Sequence, residues 1–402
     1  MRRTIAILVV LLLSVTALAA QGATDDGAYT RVTDRAMRPV FTEPQDGVNY
    51  ALFGNAASLA TAQKGTRKIT TPYISASSYN VSNALKDRGV AEALSGITKF
   101  QWTKQNWVTY LLGLVMASGS GYGEVFAADL GFGAQIGHFA FGFNADVAIH
   151  SMPGLDGEGN PQDGSSPVSS GYVPEADYAL SVAYGLRVID SDRVKVDAGI
   201  AVHVAQKVYM LQLNTTEISD LISGNKSFEN LAARGGIAFP VDLGLRVGFL
   251  DGRLNFDVTA TNLNGYYYMA NYDNIVKAAT FNGGKDKYTL YTPFNLSAGV
   301  SYTPGFKYFN PTVYGKFSDI VTFYKDYDAV PPRFIDVGVR LSVFSFLDLR
   351  ASYRYGYPEF AVGLDLYGNS IELSYGFQEA GDAYGEKPID KLTFRMKLGF
   401  AN

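Results

Sequence analysis

The stretch His138-Phe139-Ala140-Phe141-Gly142-Phe143-Asn144-Ala145-Asp146-Val147-Ala148-Ile149-His150 decides the fold. Phe139, Phe141, Phe143, Ala145, Val147 and Ile149 fall on one face, and His138, Ala140, Gly142, Asn144, Asp146 and Ala148 on the other. A helix would space its apolar residues three and four apart, so a period of two means an extended strand. The same alternation recurs over 194–204, 254–260 and 392–400. Similar runs lie near 69–80, 106–117, 123–136, 177–189, 236–249, 291–303, 310–324, 333–344, 346–357, 359–367 and 370–378, about fifteen in all. Short turn signals at Asp190-Ser191-Asp192, Asp251-Gly252 and Leu366-Tyr367-Gly368-Asn369 join neighbours as hairpins. With no helix-length crossover between most strands, the sheet is an antiparallel meander.

A soluble sandwich also alternates, so the character of each face matters. The polar face is rich in Gly, Ala, Ser and Asn, with Gly131, Gly133, Gly142, Gly199 and Gly338 among its members. Glycine weakens a strand, so its repetition says that space is needed on that side. The apolar face is continuous and uncharged, as a hydrocarbon-facing surface requires. Aromatics such as Tyr353, Tyr355, Tyr357 and Tyr266-Tyr267-Tyr268 cluster where strands end, matching interfacial girdles. These features predict an all-β chain: a transmembrane antiparallel β-barrel of about 14 strands, an even number as bacterial barrels have. A barrel of that size is too wide for side chains alone to fill.

Composition agrees. The 402 residues include 42 Gly, 27 Tyr and 25 Phe but only 18% charged residues, with a formal net charge of −4. That balance offers no basic field for a nucleic acid. The absence of Cys excludes disulfides, thiolate metal sites and cysteine nucleophiles. A hydrophobic content of 47% excludes a disordered chain. Residues 1–19 read as a signal peptide: Arg2 and Arg3, an apolar run from Ile5 to Leu13, and a small-residue cleavage site at Ala17-Leu18-Ala19. The chain is thus expected to be exported and to reside in the cell outer membrane. Membrane lipid and the barrel assembly machinery are its expected partners.

Five regions do not alternate. Residues 20–68 precede the first strand and end in a short helix over 53–60; residues 69–402 form the barrel. Residues 151–174, 214–234 and 264–289 read as long outer loops, with short helices over 217–223 and 227–233. Residues 82–95 read as helical. Nearly fifty residues ahead of the barrel, carrying Val48, Tyr50, Leu52, Phe53 and Leu59, are too apolar for a disordered tail and read as a hatch folded into the lumen.

At this point the sequence resembles the FadL type of outer-membrane long-chain fatty acid transporter, in particular a spirochaetal branch. Asn55-Ala56-Ala57-Ser58-Leu59-Ala60 is similar to the family's Asn-Pro-Ala hatch motif, with Ala56 in place of the Pro. Val241-Asp242-Leu243-Gly244-Leu245 leading into Thr261-Asn262-Leu263 adds to it, as does the plan of a hatch followed by about fourteen strands. The resemblance covers nearly all of the mature chain diffusely. It implies passive uptake of hydrophobic molecules, long-chain fatty acids foremost, through a plugged barrel with a sideways exit. Asn55, Ala56 and Ala57 would form the hatch motif. Phe53, Leu59, Trp107, Leu111 and Val115 are the candidate lining, the last three because 106–117 is apolar on both faces of an expected strand.

Catalytic chemistry finds little footing. His138, His150 and His203 are the three histidines and show no metal-ligand spacing. There is no G-x-S-x-G, and the glycines of 131–137 sit inside a strand rather than before a helix. No enzyme activity, cofactor or metal is expected. Two further readings remain open: a water-filled general porin, and a structural or host-facing surface barrel.

Overall fold

The computed structural model describes residues 47–62, 66–118, 123–153, 170–227, 229, 231–321, 331–366, 369–380 and 384–401. The expected signal peptide at 1–19, residues 20–46 of the expected hatch, most of the expected loop 151–174 and the turn residues Tyr367 and Gly368 lie outside that set. Five strands form the tall side: β1 (Arg67–Tyr79), β2 (Gly123–Ile136), β3 (Phe139–Pro153), β4 (Ser170–Asp190) and β5 (Lys195–Met210). Next come β6 (Ala233–Ala238), β7 (Val241–Phe249), β8 (Leu254–Leu263), β9 (Tyr266–Tyr272), β10 (Lys285–Tyr291) and β11 (Asn295–Tyr302). The circuit is completed by β12 (Phe309–Phe317), β13 (Ile335–Val343), β14 (Leu347–Arg354), β15 (Tyr357–Leu366), β16 (Asn369–Glu379) and β17 (Pro388–Ala401).

β5 pairs with both β6 and β7, β9 lies beside β6 where β8 lies beside β7, and β10 and β11 follow the same division. These are three bent strands, so the seventeen segments make fourteen staves. β1 pairs antiparallel with both β17 and β2, which closes the barrel. Alternation sets the two faces: Phe141, Val182 and Val202 are exposed on the outside, whereas Ala140, Ser181 and Ala201 are buried within. Among the described residues no helix is long and apolar enough to cross a membrane. One end of the barrel carries tight turns, such as that after Ile136. The other end carries the long connections after β1, β3 and β5.

Helices occupy the interior and the long-loop end. α1 (Val48–Phe53) and a 3₁₀ turn (Ala56–Thr61) lie within the barrel, replacing the single helix expected over 53–60. The β1–β2 connection contains α2 (Val81–Ala84), α3 (Arg88–Thr98) and α4 (Lys104–Ser118); α5 (Thr215–Ser223) follows β5 and α6 (Ile275–Ala279) follows β9.

Four expectations are corrected. Residues 106–117 belong to helix α4, not to a strand; the segment is apolar on several sides because it packs among α2, α3 and α5. Residues 264–289 hold β9, α6 and β10 rather than one long loop, because Tyr267 and Met269 face inward while Ala270 and Tyr272 are covered by α6, which hides any alternation. Ala233 opens β6, so the helix expected over 227–233 does not reach its last residue; Phe228 and Asn230 lie outside the described residues. The expected strands over 236–249 and 291–303 are interrupted at Pro240 and Pro293, which have no N–H to give a ladder.

Candidate functional site

The site is assembled from the hatch upward. Its seat is a row of glycines on the inner face of β2, β3, β4, β5 and β7: Gly133, Gly142, Gly185, Gly199 and Gly244. Gly133 pairs across from Gly142, and Gly199 from both Gly185 and Gly244; Gly142 faces Ser181, four residues along β4 from Gly185. A methyl group on Gly199 would overlap the Ala56 backbone, and one on Gly244 would overlap the Asn55 side chain. The hatch backbone can lie this close only where the wall has no Cβ. Val48, Leu52, Ala56 and Leu59 are fully covered here, packed with Ala140, Ala183 and Ala201.

Asn55 ties this seat together. Its Oδ1 accepts from the Ala57 N–H at 3.0 Å, capping the 3₁₀ turn, and its Nδ2 donates to Asp257 Oδ1 at 2.8 Å and to the Leu245 carbonyl at 3.4 Å. Asp257 also accepts from Arg246 Nε at 2.8 Å. Arg246 Nη2 then donates to the Tyr50 hydroxyl at 3.1 Å, and its guanidinium lies 5.6 Å from the centre of the Tyr50 ring. The wall thus holds α1 and the 3₁₀ turn through one charge-assisted network. On the far side, His138 Nδ1 lies 3.1 Å from the Leu59 carbonyl.

A crease crosses the wall beside this seat, through Phe239-Pro240, Asn264-Gly265 and Thr292-Pro293-Phe294 of adjoining bent strands. Asn262, in the left-handed region at φ 61°, stitches it. Its Nδ2 donates to the Thr292 and Pro293 carbonyls at 2.8 and 3.1 Å, and its N–H donates to Asp242 Oδ1 at 2.7 Å. The 241–245 and 261–263 segments singled out in the sequence are therefore neighbours on β7 and β8 that border this crease on its tight-turn side.

Above the hatch, an apolar strip climbs the inner wall through Met152, Val173, Tyr209, Tyr267, Met269 and Leu290. Phe53 closes its foot, touching both the strip and the hatch cluster, and stacks on His203 with centroids 5.6 Å apart and planes at 20°. His203 is held by Ser181 Oγ, 2.7 Å from Nδ1, and Asp242 Oδ2, 3.2 Å from Nε2. These are the residue types of a hydrolase triad. Ser181, however, is paired with β3 and β5 on its two sides, so the backbone there is committed to the sheet rather than to a developing oxyanion. The three instead fix the imidazole beneath Phe53. At the long-loop end, Tyr172 and Met210, on the opposite face of β4 and β5 from the strip, pack with a cap formed by α2 to α5.

The sequence-predicted residues therefore separate. Asn55, Ala56, Ala57 and Leu59 are in the hatch seat, and Phe53 is at the foot of the strip. Trp107, Leu111 and Val115 lie in the cap, where the Val115 carbonyl accepts from the Tyr172 hydroxyl at 2.9 Å. Sequence reasoning missed Tyr209, Tyr267, Met269 and Leu290; the available signal was their inward phase on β5, β9 and β10. A concavity of about 530 Å³ bounded by Phe132, Phe141, Leu180, Val182, Ile200 and Val202 lies on the outer apolar face, where hydrocarbon would fill it. Among the described residues no group of three or more His, Asp or Glu is placed to hold a metal ion.

No family model and no curated protein matches the sequence. Among solved structures, the chain is similar to the Pseudomonas putida toluene transporter TodX at 12% identity, over 95% of this chain and 98% of that one, with a TM-score of 0.39. It is similar to the CymD monoaromatic hydrocarbon channel at 10% identity, over 95% and 94%, with a TM-score of 0.42. A Pseudomonas aeruginosa FadL homologue matches at 10% identity, over 94% and 99%, with a TM-score of 0.40.

Proposed function

We propose that this chain is a plugged outer-membrane channel for passive uptake of hydrophobic molecules, with lateral release at the crease. The observation that carries this reading is the apolar strip on the inner wall of β3 to β10, which meets Phe53 of the hatch at its foot. The strip ends at the crease: Ala238, in contact with the strip, is followed at once by Phe239 and Pro240. Each methylene removed from water along such a path gains about 0.8 kcal/mol, and a sideways exit into hydrocarbon does not return it. Long-chain fatty acids are the cargo implied by the family resemblance. Export through a cleaved leader at 1–19 and a hatch extending over 20–68 belong to the same proposal.

The test is uptake by intact Gram-negative cells that lack their own hydrophobic-uptake channel, since their lipopolysaccharide leaflet blocks free entry. Expression of the full chain should accelerate entry of a labelled long-chain amphiphile; equal rates with and without it would refute the reading.

A specific feature favours the porin reading as the second choice. The inner face of β14 to β17 is polar, with Arg350 bonded to Glu359 at 2.9 Å and to Glu372 at 3.3 Å, and Arg395 bonded to Glu372 at 3.1 Å. A porin should show steady conductance in planar bilayers with the hatch in place.

A further inference from the structure

We infer that the tip of the α3–α4 hairpin is a lipid anchor, docking on a bilayer surface that carries anionic headgroups. The inference rests on the outward face of the barrel meeting hydrocarbon. Toward the long-loop end, Ile149, Tyr172, Met210 and Leu392 continue the outward phase of Val147, Val182, Val204 and Phe394. The second four are exposed, whereas the first four pack under the cap. Tyr110 of α4 also bonds Ser78, which has the outward phase on β1. The helices α2 to α5 therefore lie against the outside of the wall, just beyond its apolar band. A hairpin placed there has the headgroup layer for a neighbour.

Between α3 and α4, Phe100 is 80% and Trp102 65% exposed, with ring centres 5.7 Å apart. The backbone is shaped to hold them out. Phe100 stands at φ 61°, the left-handed conformation that favours glycine at a helix end. Its N–H donates to the Ile97 carbonyl at 3.0 Å, and that of Gln101 to the Gly96 carbonyl at 2.9 Å. Glycine would close this helix with less strain, so an uncovered phenylalanine there points to a contact outside the chain. The Trp102 Nε1 donates to the Ile97 carbonyl at 3.0 Å, which satisfies the polar edge of the indole within the hairpin. Along α4, Val108, Leu112 and Met116 recur every four residues as an apolar edge outside the buried cluster. Lys99 and Lys104 flank the aromatic pair and are exposed, and no Asp or Glu occurs between Glu92 and Glu124. Rings that enter the headgroup layer beside ammonium groups that meet phosphates are the chemistry of an anionic lipid surface.

The test reads Trp102 fluorescence in the full chain, reconstituted into phosphatidylcholine vesicles with and without phosphatidylglycerol. Phosphatidylcholines brominated at shallow or deep acyl carbons serve as quenchers. Trp102 and Trp107 are the only tryptophans, so the Trp102 signal is the difference between the parent and Trp102→Phe. Shallow bromine should quench Trp102 at least twofold, and more than deep bromine does. Phosphatidylglycerol should increase that quenching at low salt, and Lys99→Gln with Lys104→Gln should abolish the increase. Phe100→Gly suits the backbone, so it should melt no lower than the parent while losing at least half of the shallow quenching. Trp102 unquenched by either bromine and open to aqueous iodide in every vesicle would overturn the anchor and leave the tip to a protein partner. Quenching indifferent to phosphatidylglycerol and to both lysines would overturn the anionic surface.

Discussion

Asn55 uses both ends of its amide, the oxygen on the hatch backbone and the nitrogen on the wall. Asn55→Ala should destabilise the hatch by about 1–2 kcal/mol, since it removes a cap and a bond to a carboxylate. Planar-bilayer recordings should then show more frequent ion-conducting openings than the parent. Gly199→Ala should do the same by pushing against Ala56, whereas Gly315→Ala on β12 should not, because its nearest neighbour lies 3.6 Å from the added carbon. Equal recordings for the two glycine variants would contradict the seat described above. That the wall needs space was legible from Gly133, Gly142 and Gly199. What fills it was not: Gly131 makes room for the Tyr73 ring and Gly338 for the Tyr314 ring, and only the folded register distinguishes these from the hatch seat. Asn55 could be singled out beforehand through the family resemblance, but its partner Asp257 lies about two hundred residues away, beyond any local pattern.

Among the elements, those with one buried face were readable and those buried on both faces were not. β2 and β3 alternate cleanly, and their expected limits agree with the structure within a few residues. α4 and β9 are apolar on both sides, one within the cap and the other between strip and α6, so periodicity could not assign either. The bend at Pro240 preserves the inward phase, with Ala238 and Gly244 both facing in, which is why the sequence reads one strand there. The crease itself yields a prediction. Thr261 of β8 and Asn295 of β11 pair at its edge, on the tight-turn side, and the chain contains no Cys, so a Thr261→Cys, Asn295→Cys variant has no competing thiols. Oxidation should slow hydrophobic uptake at least severalfold and reduction should restore it, measured on the same cells. Unchanged uptake by the oxidised form would place the exit elsewhere.

For the whole molecule, the outward face of each stave defines the environment. Phe141, Val182, Val202, Val258 and Phe360 are exposed on a wall whose inward face carries serine, glycine and ion pairs. Val182→Lys should therefore cost on the order of 2–4 kcal/mol near the bilayer midplane, read from urea titrations of folding into lipid vesicles. A cost near zero would mean that this face meets water. The barrel was legible in the sequence because its wall repeats one simple rule; the path inside it was not, because that path is a meeting of single residues from β3, β4, β5, β9 and β10. The most direct measurement of the central claim is photolabelling of the membrane-embedded protein with a long-chain alcohol carrying a diazirine, mapped by peptide mass spectrometry. The account predicts adducts at Tyr209, Tyr267, Met269, Leu290 and Phe53, competed by unlabelled alcohol. Adducts confined to the outer face, at Phe141, Val182 and Val202, would contradict it.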